Sequence, residues 1–117
     1  MDDFKEVLIM KDYKKVAEKI WEMGDFCDIH NCGFPTEYRP VNLRFQLCEP
    51  FVIGYIFYVS FYHGRWNIDY TLDSSVTSRA DMQSIRGIKT DREMYEKVEE
   101  IINQIREHCG AEIAMKE

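Results

Sequence analysis

A chain of 117 residues with 21 acidic against 15 basic side chains, for a formal net charge of −6, suits one domain and opposes general binding to DNA or RNA backbones, which takes a positive surface. Hydrophobic residues at 45% and charged residues at 31% fit a soluble globular chain rather than a disordered one. A domain of this size can bury roughly 65% of its unfolded-chain surface, a core that needs neither metal nor disulfide.

The opening MDDFKEV has no basic n-region followed by an apolar stretch, and the longest apolar run, Phe51 to Tyr62, is too short for a bilayer and is broken by Gly54 and Ser60. These features predict an intracellular, cytoplasmic domain over 1–117 with no membrane partner. Its four cysteines, Cys27, Cys32, Cys48 and Cys109, are then expected as reduced thiols.

A helix is predicted from about Phe4 to Met23. Asp3 and Glu6 have the spacing of a capping box, and Ile9, Tyr13, Val16, Ala17, Ile20 and Met23 form one apolar stripe ahead of Gly24. Asp12 could cap a second helix there, and a short strand through Val7 to Met10 is the alternative for the start. Asp25 to Pro40 reads as a loop, long for one without an element of its own.

Three antiparallel strands follow between Val41 and Asp73. Val41, Leu43, Phe45 and Leu47 alternate with Asn42, Arg44 and Gln46; Trp66, Ile68, Tyr70 and Leu72 alternate with Asn67, Asp69, Thr71 and Asp73. A type II′ turn at Gly64-Arg65 would pair His63 with Trp66, Phe61 with Ile68, Val59 with Tyr70 and Phe57 with Leu72. A loop of Cys48-Glu49-Pro50 would pair Leu47 with Phe51, Phe45 with Ile53 and Leu43 with Tyr55. Both turns gather the apolar side chains on one face and leave Asn42, Arg44, Gln46, Ile56, Tyr58, Ser60, Tyr62, Asn67, Asp69 and Thr71 on the other.

Beyond them, Ser78 and Asp81 suggest a short capped helix through Met82 to Arg86, ended by Gly87. Thr90 and Glu93 form another capping box. It opens a helix from about Asp91 to His108, with Met94, Val98, Ile101, Ile102 and Ile105 as its apolar stripe and Gly110 as its stop. Ala111 to Met115 reads as a frayed tail or a short edge strand. The fold class expected is α+β in two layers: a three-stranded antiparallel sheet, order 1-2-3, with the first and last helices on its apolar face.

Several residues could carry chemistry. Cys27, His30 and Cys32 are zinc-ligand types close enough to converge, with Cys48, His63 or Cys109 as a fourth ligand, but paired Cys-x-x-Cys knuckles are absent; the plainer reading is a thiol loop with a polar histidine and no metal. Cys27 or Cys32 with His30, or Cys48 with His63, could form a nucleophile and base, yet neither pair sits in a catalytic context. Asp69 and Asp73 lie along one strand as solvated charges rather than an acid–base pair. No phosphate-binding glycine motif is present. No catalytic residue and no cofactor is therefore expected.

The surfaces suited to a partner are the polar sheet face, with Arg44, Tyr58, Tyr62, Asp69 and Asp73, and the acidic start of the last helix, with Glu93, Glu96, Glu99 and Glu100. A flanking helix could cover the first surface. The helix–sheet–helix layout and the acidic side chains Asp69, Asp73, Glu93, Glu96, Glu99 and Glu100 resemble small anti-CRISPR proteins, notably type II-A inhibitors, and equally bacterial toxin-immunity proteins. That resemblance implies a non-catalytic inhibitor that blocks a protein partner at a basic, nucleic-acid-binding surface without touching nucleic acid itself. The alternatives are a zinc-stabilised binding domain, a small cysteine or carboxylate enzyme, and a homodimer formed through the polar face or an edge strand.

Overall fold

The computed structural model describes residues 13–24, 26–33, 36, 38–47, 55–73 and 75–116. Their order is α1 (Tyr13–Trp21), β1 (Phe26–Asn31), β2 (Val41–Leu47), β3 (Ile56–Tyr62), β4 (Arg65–Tyr70), a 3-10 turn (Arg79–Asp81), β5 (Gln83–Ile88) and α2 (Asp91–Lys116). The α+β architecture with an antiparallel sheet matches expectation, but the sheet has five strands in the order β1-β2-β3-β4-β5, not three. The three expected strands form its middle.

The outer strands come from segments read otherwise. β1 lies inside the expected loop, and β5 occupies the segment expected as a helix through Met82 to Arg86. Ser78 makes no side-chain cap, so the capping pattern there starts only the 3-10 turn. Each outer strand carries a bulge that breaks alternation. Cys27 is the extra residue between Phe26, opposite Leu47, and Asp28, opposite Gln46. On the other edge, Arg86 and Gly87 lie between Ile85, opposite Ile68, and Ile88, opposite Trp66. Gly87 takes a φ of 75°, a left-handed conformation that suits glycine in a bulge.

Both inner registers differ from expectation while the faces stay the same. Phe61 pairs with Trp66, Val59 with Ile68 and Phe57 with Tyr70. The turn is therefore His63-Gly64, with φ of 52° and 73°, rather than Gly64-Arg65. Positive φ at both central residues is the type I′ condition, and glycine fills its second position. His63 thereby leaves the apolar face and is exposed. Phe45 pairs with Phe57 and Leu43 with Val59, and the Leu47 N–H bonds to the Tyr55 carbonyl at 2.9 Å. Cys48, Phe51 and Ile53, with the rest of that connection, lie outside the described residues.

The apolar face forms the core as expected. Val41, Leu43, Phe45, Leu47, Phe57, Val59, Trp66 and Ile68 are buried against Val16 and Ile20 of α1 and Met94, Val98, Ile101, Ile102 and Ile105 of α2. Each such side chain contributes about 1.5–3 kcal/mol by leaving water. Phe45 and Phe57 stack with centroids 5.1 Å apart. Trp66 donates its indole N–H to Asp91 at 2.8 Å, which ties β4 to the start of α2. At that start the Thr90 hydroxyl accepts the Glu93 N–H at 3.1 Å, the expected cap. The helix runs on through Gly110 to Lys116, so neither a stop at His108 nor a terminal edge strand is present. The helix start, the Asp12 cap and the alternative strand expected between Phe4 and Asp12 lie outside the described residues.

Candidate functional site: the open sheet face and its corner

The face turned away from the helices carries Asn42, Arg44 and Gln46 of β2, Tyr58, Ser60 and Tyr62 of β3, and Asn67 and Asp69 of β4. Asp28 and His30 of β1 flank it through their pairing with Gln46 and Arg44. No helix covers it. Its middle is closed instead by the segment after β4.

Closure begins at Asp73, whose carboxylate accepts the Ser75 N–H at 2.9 Å and the Ser75 hydroxyl at 2.7 Å. The hydroxyl first, then the N–H, holds the Asp73 carboxyl below its ordinary 3.8. The following 3-10 turn delivers Arg79 onto the face. Its guanidinium sits 4.5 Å from the Tyr58 ring centre, donates from Nε to Asp69 at 2.7 Å and from a terminal nitrogen to the Asn42 side-chain oxygen at 3.0 Å. Ser84 donates its hydroxyl to the other Asp69 oxygen at 2.5 Å, and the Asn42 amide donates to the Cys32 carbonyl at 3.1 Å. A continuous polar chain thus crosses the sheet from Cys32, just past β1, to Ser84 of β5.

Asp69 is therefore not the solvated charge its alternation suggested. It is 5% exposed and paired inside the fold. Asp73 does not extend β4 beside it but sits past the strand end, in the turn that launches the closing segment. Ile56 and Ser60 of the same face are buried as well. Tyr58 is half-buried beneath Arg79, and Arg44 pairs with Asp28 at 3.3 Å.

Beyond Arg79 the face opens at one corner. The connection from β1 brings Tyr38 and Arg39 beside the β3–β4 turn, where the His63 N–H donates to the Tyr38 carbonyl at 3.3 Å. Thr36 and Arg39 close their own turn reciprocally: the Thr36 hydroxyl accepts the Arg39 N–H at 3.0 Å, and the Thr36 N–H donates to the Arg39 carbonyl at 3.1 Å. The Arg39 guanidinium sits 4.7 Å from the Tyr62 ring centre, and His63 meets Tyr62 edge-on at 4.0 Å. Tyr38 is 65% and Tyr62 40% exposed. Between them lies a cleft of about 240 Å³ lined by Cys32, Thr36, Tyr38, Arg39, Asn42 and Tyr62. Sequence reasoning reached Tyr62 but missed Tyr38 and Arg39, which sit in an aperiodic connection. The only signal there was an aromatic–basic pair placed just before Pro40.

The acidic side of α2 is less charged than the sequence suggests. Glu93, Glu96, Glu99 and Glu100 are all exposed. Glu96 pairs with Arg92 at 3.1 Å and Glu100 with Lys97 at 3.5 Å. Such pairs within one helix are worth only about 0.2–0.5 kcal/mol, yet they offset charge locally.

Among the described residues no three His, Cys, Asp or Glu side chains gather as metal ligands would. His30 lies opposite Arg44, whereas Cys32 is a free thiol at the cleft and the Cys27 side chain lies outside the described residues. No described buried side-chain nitrogen or oxygen lacks a hydrogen-bond partner. The corner brings together exposed aromatic area, a held guanidinium and a recess. No protein-family model, curated protein or solved structure matches this chain.

Proposed function

We propose that this protein is a non-catalytic binder of another protein and meets its partner at the corner formed by Tyr38, Arg39 and Tyr62. The exposure of two tyrosines packed around one arginine carries this reading. Tyrosine and arginine offer large contact area with a polar handle and dominate interface energetics. Here they are pre-positioned by the His63-Gly64 turn and the Thr36–Arg39 turn, so little ordering cost remains on binding. Affinity capture from the native host tests it. A protein retained by the wild type and lost with a Y38A/Y62A variant of unchanged melting temperature is the expected outcome. Recovery of no macromolecular partner would count against the reading.

The narrower form of this reading is inhibition: blocking the basic surface of a nucleic-acid-handling effector, as in anti-CRISPR-type proteins, or of a toxin, as in immunity proteins. The net charge of −6 and the exposed Glu93, Glu96, Glu99 and Glu100 support it. It requires those glutamates to contribute to binding. Association that slows with added salt and with E93K/E99K is expected; association indifferent to both would remove the inhibitory form and leave the corner reading intact.

A further inference from the structure

The cleft at the corner has a chemistry of its own. None of its six lining residues is acidic. Arg44, Arg79 and Arg92 each meet a carboxylate. Arg39 is held over the Tyr62 ring instead and pairs with no carboxylate among the described residues. A guanidinium fixed by a ring keeps its N–H donors for a ligand.

The other polar groups of the cleft are sorted the same way. Asn42 is spent, its amide donating to Cys32 and its oxygen accepting from Arg79. The Thr36 oxygen already accepts the Arg39 N–H, which leaves its hydroxyl proton to donate. The phenols of the exposed Tyr38 and Tyr62 add two further donors. Unspent donors without a matching acceptor select a ligand rich in acceptors. At about 240 Å³ the cleft is smaller than the roughly 300–1,000 Å³ typical of small-molecule and cofactor sites. It has room for one side chain.

We propose that this cleft binds an anionic side chain, carboxylate or phosphate, presented by an acidic peptide segment, with Arg39 as its charge partner and Tyr38 and Tyr62 as its walls. The inference deepens the corner reading and rests on it. The acceptor oxygens take charge-assisted hydrogen bonds from the guanidinium, the strong kind and one that can be bidentate.

Amide-shift titration of the full chain by NMR tests it with defined probes: an acetylated Asp/Glu hexapeptide, its phosphoserine form, its Asn/Gln counterpart and a short uridine oligonucleotide. The acidic or phosphorylated peptide is expected to move Arg39, Tyr62 and His63 amides, with the Asn/Gln peptide silent. R39M should weaken that binding roughly tenfold, the loss expected for one charge-assisted hydrogen bond, with R39K intermediate. Whichever anionic peptide binds more tightly identifies the source of the charge. Equal shifts with the Asn/Gln peptide, indifference to R39M, or a response to the oligonucleotide alone would each overturn the proposal. Loss of the captured host protein in Y38A/Y62A alongside any of those results would keep the corner as a docking surface and remove only its anionic ligand.

Discussion

Asp69 shows how a single side chain changes role once its neighbours are known. Alternation along β4 puts it on the polar face, and it is on that face, but Arg79 and Ser84 bury it there. The partner stands ten positions further on, in a segment with no periodic pattern, so sequence spacing could place Asp69 but not its surroundings. Removing one member of a buried pair strands the other. Asp69→Ala is expected to cost about 1–3 kcal/mol, less than the roughly 3–5 of a fully enclosed pair because the Arg79 side chain keeps 35% of its exposure. Urea denaturation reads this as a lower midpoint at constant slope; an unchanged midpoint would mean that the pair does not hold the closing segment. Asp73 gives a pH signature. Its folded carboxyl titrates below the ordinary 3.8 because Ser75 donates to the charged form. Its contribution to stability is thus complete above the unfolded value and is lost as pH falls through the lower folded value. NMR titration should find Asp73 below 3.8 and moving toward it in S75A; a value at or above 3.8 in the wild type contradicts the turn geometry.

At the scale of elements, the sequence revealed what strict alternation or helical spacing could carry. The three inner strands, their buried faces and the stripe of α2 were all legible because every second or every third-to-fourth position repeats. The outer strands were not. Cys27 shifts the phase of FCDIHN after one residue, and the bulge at Gly87 interrupts QSIRGI. Edge strands also bury little, so their apolar content is low. The β3–β4 register turned on whether Gly64 stands first or second in its turn, a distinction that the faces cannot report because the two registers differ by an even step. The His63-Gly64 turn predicts its own improvement. His63 holds a φ of 52°, a conformation asparagine tolerates better. His63→Asn should raise stability by about 0.3–1 kcal/mol, whereas Gly64→Ala, with open space around its new carbon but a φ of 73°, should lower it by about 1 kcal/mol. Thermal melts of both variants decide this, and a destabilised H63N would argue against the type I′ turn. Trp66→Phe should cost about 1–3 kcal/mol by releasing the bond to Asp91 and leaving a gap under α2.

The molecule as a whole keeps its two candidate surfaces apart. The corner of Tyr38, Arg39 and Tyr62 lies at the edge of the open sheet face, and the exposed glutamates lie on the outer side of α2, across the core from it. Bulges at both sheet edges disfavour edge-to-edge pairing. A monomer near 14.0 kDa by light scattering is therefore expected, and a mass near twice that would move the argument to self-association. With the middle of the face closed by Arg79, the corner is where aromatic area remains available among the described residues, and Trp21, 42% exposed, is already stacked on Phe26. The central claim is that a partner protein touches that corner. Site-specific photo-cross-linking in the native host addresses it most directly, with the reactive residue placed in turn at Tyr38, at Glu99 and at Glu18. A covalent adduct to one protein from position 38, absent from position 18, is the predicted result. An adduct from position 99 with none from position 38 would contradict the claim and place the contact on the acidic helix.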